Sequence, residues 1–128
     1  MKLLAQLFRR KQTSALSEEQ AVLVHLDGMN LPDETYKKHD VSTLEDQLIE
    51  VIETNQLGEY DGNEFGPEVT TLFMYGPDAE RLFAAIAPVL RAYPLCSRAR
   101  VVIRRGPPGA PERDVQFSTQ APTRASAL

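Results

Sequence analysis

The sequence predicts an α+β fold, and three observations carry that reading. Strand-like and helix-like stretches follow one another as strand, helix, strand, strand, helix, strand, with one more short strand at the end. Each of the two internal helix-like stretches has a single apolar stripe, whereas the strands carry apolar residues on both sides. A chain of 128 residues with 42% hydrophobic content can bury one core without crosslinks.

Taken in order, MKLLAQLFRRK puts Leu3, Leu4, Leu7 and Phe8 on one side of a predicted amphipathic helix that ends in Arg9, Arg10 and Lys11. It is too short to span a bilayer, and its basic run follows the apolar stretch instead of preceding it as in a signal peptide. The following QTSALSEEQ is a polar linker, so residues 1–20 are predicted to form a helix and linker ahead of the domain. AVLVHLDG is the first strand, with Val22, Val24 and Leu26 facing one way and Ala21, Leu23, His25 and Asp27 the other. Two apolar faces place it in the interior of the sheet. Residues 28–41, with Pro32 and the polar DETYKKHD, are predicted as a loop.

VSTLEDQLIEVIETNQLG is a helix with Leu44, Leu48, Val51 and Ile52 as its buried stripe and Glu45, Asp46, Glu50 and Glu53 on the rest. Ser42 and Glu45 have capping-box spacing, and Gly58 is placed to stop the helix in the left-handed conformation. GEYDGNEFG is an edge strand or extended segment interrupted at Gly62 and Asn63, and VTTLFMYG is a strand bounded by Pro67 and Gly76. In GPDAERLFAAIAPVLRAY, Pro77 suits the first helical position, and Leu82, Phe83, Ile86, Val89, Leu90 and Tyr93 form a core stripe. Pro88 falls off that stripe, where solvent can satisfy the carbonyl it frees. RARVVIRR is a strand with Val101 and Ile103 on one face, and DVQF pairs with it as a hairpin beyond a turn holding Pro107 and Pro108. Residues 119–128 have no periodicity and are expected to form a disordered tail.

This order fits a ferredoxin-like βαββαβ sandwich over residues 21–118, an antiparallel sheet with two helices on one face and an extra C-terminal hairpin strand. The other sheet face would present Leu23, His25, Phe73 and Tyr75, so the N-terminal helix, a second subunit or a ligand is expected to cover it, a homodimer being preferred. The segments LEDQLIEVIE, GEYDGNEFG, YGPDAERLFAAIAPVL and RARVVIRRGPP together resemble a group of small bacterial single-domain proteins known mainly as hypothetical proteins. The resemblance spans roughly residues 20–117, implies one compact domain and brings no activity or catalytic residue with it.

The net charge of -4 conceals a strong segregation. Residues 17–80 hold 16 Asp or Glu against two lysines, while residues 81–128 hold eight arginines against two acids. Folding either sets these charges against each other or leaves an acidic face for a basic partner. The lone Cys96 cannot form an internal disulfide and reads as a small apolar filler in a reducing, cytoplasmic setting.

Enzyme templates are missing: no GxSxG, no phosphate-binding GxxxxGK[ST] and no CxxC. Nucleic-acid binding is not expected, since TTLFMYG lacks the basic-Gly-aromatic pattern and the chain is acidic despite Arg98, Arg100, Arg104 and Arg105. The densest polar cluster is Glu59, Asp61, Asn63 and Glu64, whose oxygens suit a hard cation although the spacing is not that of an EF-hand; a solvated strand edge is the preferred reading. His25 and Asp27, two apart on a strand, can project together, and His39 lies in the following loop without zinc-site spacing. The expected binding patch is therefore Glu59, Asp61, Asn63, Glu64, His25, Asp27 and Tyr75, with no cofactor, no metal and no assigned catalytic residue. The function expected from these residues is a non-catalytic interaction module that recognises a protein partner through an acidic surface, an inhibitor resembling an immunity protein being one form of it. The alternatives are a small enzyme or ligand-binding domain on the open sheet face using His25, Asp27, Tyr75 and Glu64, and membrane-surface contact through the N-terminal helix.

Overall fold

The computed structural model describes residues 19–118. The amphipathic helix expected in residues 1–20 and the tail expected in residues 119–128 thus fall almost wholly outside the described residues. Within them the order is β1 (Gln20–Asp27), α1 (Asp33–Lys38), α2 (Val41–Thr54), β2 (Glu59–Phe65), β3 (Val69–Gly76), α3 (Ala79–Ala92), a 3-10 turn (Pro94–Cys96), β4 (Arg100–Arg104) and β5 (Glu112–Gln116). The strands form one five-stranded sheet in the order β2-β3-β1-β4-β5, antiparallel throughout. The class is α+β, and β1 is the interior strand its sequence predicts.

The predicted alternation sorts cleanly in three dimensions. Val22, Val24 and Leu26 of β1, Leu72 and Met74 of β3, and Val101 and Ile103 of β4 are buried in one cluster. Leu44, Leu48 and Ile52 of α2 and Leu82, Phe83, Ile86 and Leu90 of α3 fill the same cluster, so both helices cover one face. At the transfer value of about 25 cal/mol per Å², each fully buried Leu or Ile contributes roughly 2 kcal/mol. Pro88 lies within α3 on its exposed side, as expected. Ala21, Leu23, His25 and Asp27 alternate onto the opposite face, together with Thr71, Phe73 and Tyr75 of β3 and Arg100, Val102 and Arg104 of β4.

Four local expectations are corrected. The segment 28–41 contains α1, whose Tyr36 hydroxyl donates to the Asp27 carbonyl at 2.8 Å and accepts from Leu31 N–H at 3.1 Å. The N-cap of α2 is Asp40, which accepts from Thr43 N–H; Val41 already packs on the core, so Ser42 lies inside the helix and Glu45 is not its capping partner. The left-handed residue after α2 is Gln56 (φ 52°), with Leu57 N–H donating to Ile52 O at 3.0 Å and Gln56 N–H to Glu53 O at 3.2 Å, the Schellman pattern. Gly58 (φ 141°) serves a different need: a Cβ there would strike the Tyr75 carbonyl, just as one on Gly76 would strike the Leu57 carbonyl. Finally, Pro77 precedes α3, whose N-cap is Asp78, bonded to Arg81 N–H at 3.1 Å, while Gln20 Oε1 accepts from Ala79 N–H at 2.9 Å.

Candidate functional site

The acidic segment does not assemble into one site. It is an edge strand with a bulge between Tyr60 and Gly62. Glu59 is buried opposite Tyr75, Glu64 is exposed opposite Thr71, and Asp61 sits half-buried in the bulge. Asn63 instead turns to the helix side, where its Nδ2 donates to Glu45 Oε2 at 2.6 Å. The Tyr60 hydroxyl donates to the same oxygen at 2.6 Å. Burial first, then the Glu45 carboxylate beside it, raise the Tyr60 phenol above its ordinary value. Glu45 therefore fastens β2 to α2. Among the described residues no group of three or more His, Cys, Asp or Glu is placed to hold a metal ion.

His25 and Asp27 share a face of β1 but bond elsewhere. His25 Nδ1 and Thr71 Oγ1 share a hydrogen bond of 2.9 Å. Burial lowers the imidazole pKa, the Arg100 charge lowers it further and Asp114 opposes them, so His25 is neutral at neutral pH. The Asp27 carboxylate closes the loop after β1: Oδ1 accepts from the amides of Met29 and Asn30, each at 2.9 Å, and Oδ2 from Arg98 Nε at 3.2 Å. Burial alone would raise its pKa, but the Met29 and Asn30 amides and the Asn30 and Arg98 side chains outweigh it and lower it. An Asp with this many donors is a loop anchor and has no spare capacity as a base.

An open cleft of about 450 Å³ lies at this end of β1. His25 and Asp27 line it between Val69 on the β3 side and Arg100 and Gln116 on the β4–β5 side, with Met29, Glu68 and Arg98 also contributing. Arg100 Nη1 donates to Asp114 Oδ2 at 2.6 Å. Tyr75 is not part of this cleft, since it pairs with Ala21, four residues along β1 from His25. Arg100 was legible in the alternation of RVVIR, which sets it on the face opposite Val101 and Ile103, and Asp27-Gly28-Met29-Asn30 has the composition of an Asx turn. Which strands would flank them was not.

The remaining reactive candidates are structural. Burial pushes the Cys96 thiol up to about 12, which removes its nucleophilic form at neutral pH. The His39 ring packs edge-on against Tyr93 at 5.5 Å, and the Tyr93 hydroxyl donates to the Asp40 carbonyl at 2.7 Å.

Folding sets several of the arginines against carboxylates. Arg98 pairs with Asp27, Arg100 with Asp114, and Arg105 and Arg113 with Glu80. No basic side chain among the described residues pairs with Asp46, Glu50 or Glu53, all exposed. At i, i+4 and i+7 these three form a stripe opposite Leu44, Leu48 and Ile52. No helix among the described residues is long and apolar enough to cross a membrane. The chain matches none of the protein-family models, curated proteins or solved structures with which it was compared, and no family is assigned to it.

Proposed function

We propose that the chain is a small non-catalytic interaction module built on a ferredoxin-like βαββαβ sandwich, and that it binds a basic protein partner through the acidic stripe of α2. The strand order β2-β3-β1-β4, with α2 between β1 and β2 and α3 between β3 and β4, supports the fold; β5 is the added hairpin strand. The observation that carries the binding reading is the stripe of Asp46, Glu50 and Glu53. Like charges at i, i+4 cost a helix roughly 0.2–0.5 kcal/mol per pair, and the described residues offer no compensating cation. A basic partner surface relieves that cost and also steers the encounter.

Parallel affinity capture with the wild type and an Asp46→Lys, Glu50→Lys, Glu53→Lys variant tests this. A partner retained by the wild type, released by salt and missing from the variant supports the reading. Identical capture by both proteins, or no salt-sensitive partner at all, defeats it.

A second reading, self-association, draws on one further observation. Leu23 of β1 and Phe73 of β3 stand side by side on the sheet face opposite α2 and α3, both half-buried. An apolar pair of this kind suits a two-fold interface between copies of the chain.

A further inference from the structure

We propose that the cleft at the Asp27 end of β1 binds a small carboxylate with a short apolar chain, its carboxylate held by Arg98 and Arg100. This goes beyond the partner-binding reading and concerns the opposite side of the sheet. Arg98 is anchored through Nε to Asp27 at 3.2 Å and Arg100 through Nη1 to Asp114 at 2.6 Å. Each guanidinium is thereby fixed at one corner. Its other N–H groups have no acceptor among the described residues, and the two side chains are 54% and 48% exposed. Forks held in place lose less freedom on binding than free ones, and their geometry matches a carboxylate.

The rest of the lining selects the class of ligand. Met29 and Val69 are 57% and 43% exposed, two of the few large apolar side chains left in solvent among the described residues, and both line this cleft. They offer an apolar chain a surface on the side away from Arg100. His25, without charge at neutral pH, adds a polar contact between the two walls. Asp27 and Glu68 also line the cleft, so a dianion such as phosphate would face two carboxylates where a monoanion faces less repulsion. A volume of about 450 Å³ lies within the range of small-molecule sites.

The test is a titration of the isotope-labelled 128-residue chain with sodium hexanoate, sodium acetate and inorganic phosphate, followed by NMR at the arginine Nε–H and methionine methyl signals. Hexanoate should shift Arg98, Arg100 and Met29 saturably and bind more tightly than acetate or phosphate. Arg100→Gln should weaken hexanoate by about tenfold or more through loss of the charged fork. Because that variant also releases Asp114, Met29→Ser provides an independent check: it should weaken hexanoate while leaving acetate unchanged. The proposal is overturned by shifts that do not saturate, by hexanoate binding that survives both substitutions, or by phosphate binding as tightly as hexanoate.

Discussion

Glu45 and Glu80 each join elements that lie far apart in the sequence. Glu45 accepts from both Tyr60 and Asn63 and so carries β2 on α2. Tyr60→Phe removes one charge-assisted bond and leaves the ring packed; it should cost about 1.5–3 kcal/mol, measured by urea unfolding. Glu80 receives Arg113 and Arg105, whose hydrogen bonds and charges hold its carboxyl down to about 2 from the usual 4.5 against the opposing effect of burial. A depressed folded-state pKa stabilises fully above the unfolded value and is lost as pH falls through the folded one. The stability difference between the wild type and Glu80→Gln should therefore be present at neutral pH, shrink below 4.5 and vanish near 2. A constant difference across that range would show that the pairs contribute nothing through ionisation. Neither role could be read from local sequence, since Glu45 meets residues 15 and 18 positions away and Glu80 meets one 33 away.

At the level of the element, the helices were legible and their ends were not. Stripes such as Leu44, Leu48 and Ile52 recur with the helical period, and burial follows that period directly. Ends depend on which of several competent residues the tertiary structure selects, here Asp40 over Ser42 and Gln56 over Gly58. Asp40→Ala should lower the melting temperature measurably and Ser42→Ala much less, a difference thermal unfolding resolves. Gln56→Gly should stabilise by roughly 0.5–1 kcal/mol, because glycine adopts the left-handed conformation without the Cβ cost. Gly58→Ala should instead destabilise by about 2 kcal/mol or more, having both an unfavourable φ and a carbonyl in its path. The acidic stripe gives the opposite signature. Glu50→Lys should raise the stability of the isolated protein by about 0.2–0.5 kcal/mol, since it replaces a repulsion with Asp46 by an attraction.

Across the whole molecule, the α+β class followed from strand alternation and helix stripes because both are local periodicities. The candidate patch did not follow, because its members are spread by strand register: Glu59 and Tyr75 meet at one end of the sheet, His25 and Asp27 lie toward the other, and Asn63 turns to α2. Register also brought Arg100 beside His25, a contact between residues 75 positions apart that no local pattern reveals. The described residues thus present two unlike surfaces, an acidic helix stripe on one side of the sheet and a mixed cleft beside Leu23 and Phe73 on the other. If Phe73 and Leu23 join two copies, sedimentation equilibrium should give a dimer that Leu23→Asp converts to monomer without loss of the helical signal. The central claim concerns the other side, and the most direct measurement is the affinity of a captured partner for the wild type and for the Asp46→Lys, Glu50→Lys, Glu53→Lys variant at about 0.05 M and about 0.5 M salt. The account predicts wild-type binding that weakens with salt and a variant weaker by about tenfold or more at low salt, its fold unchanged. Equal affinities at both ionic strengths would contradict it.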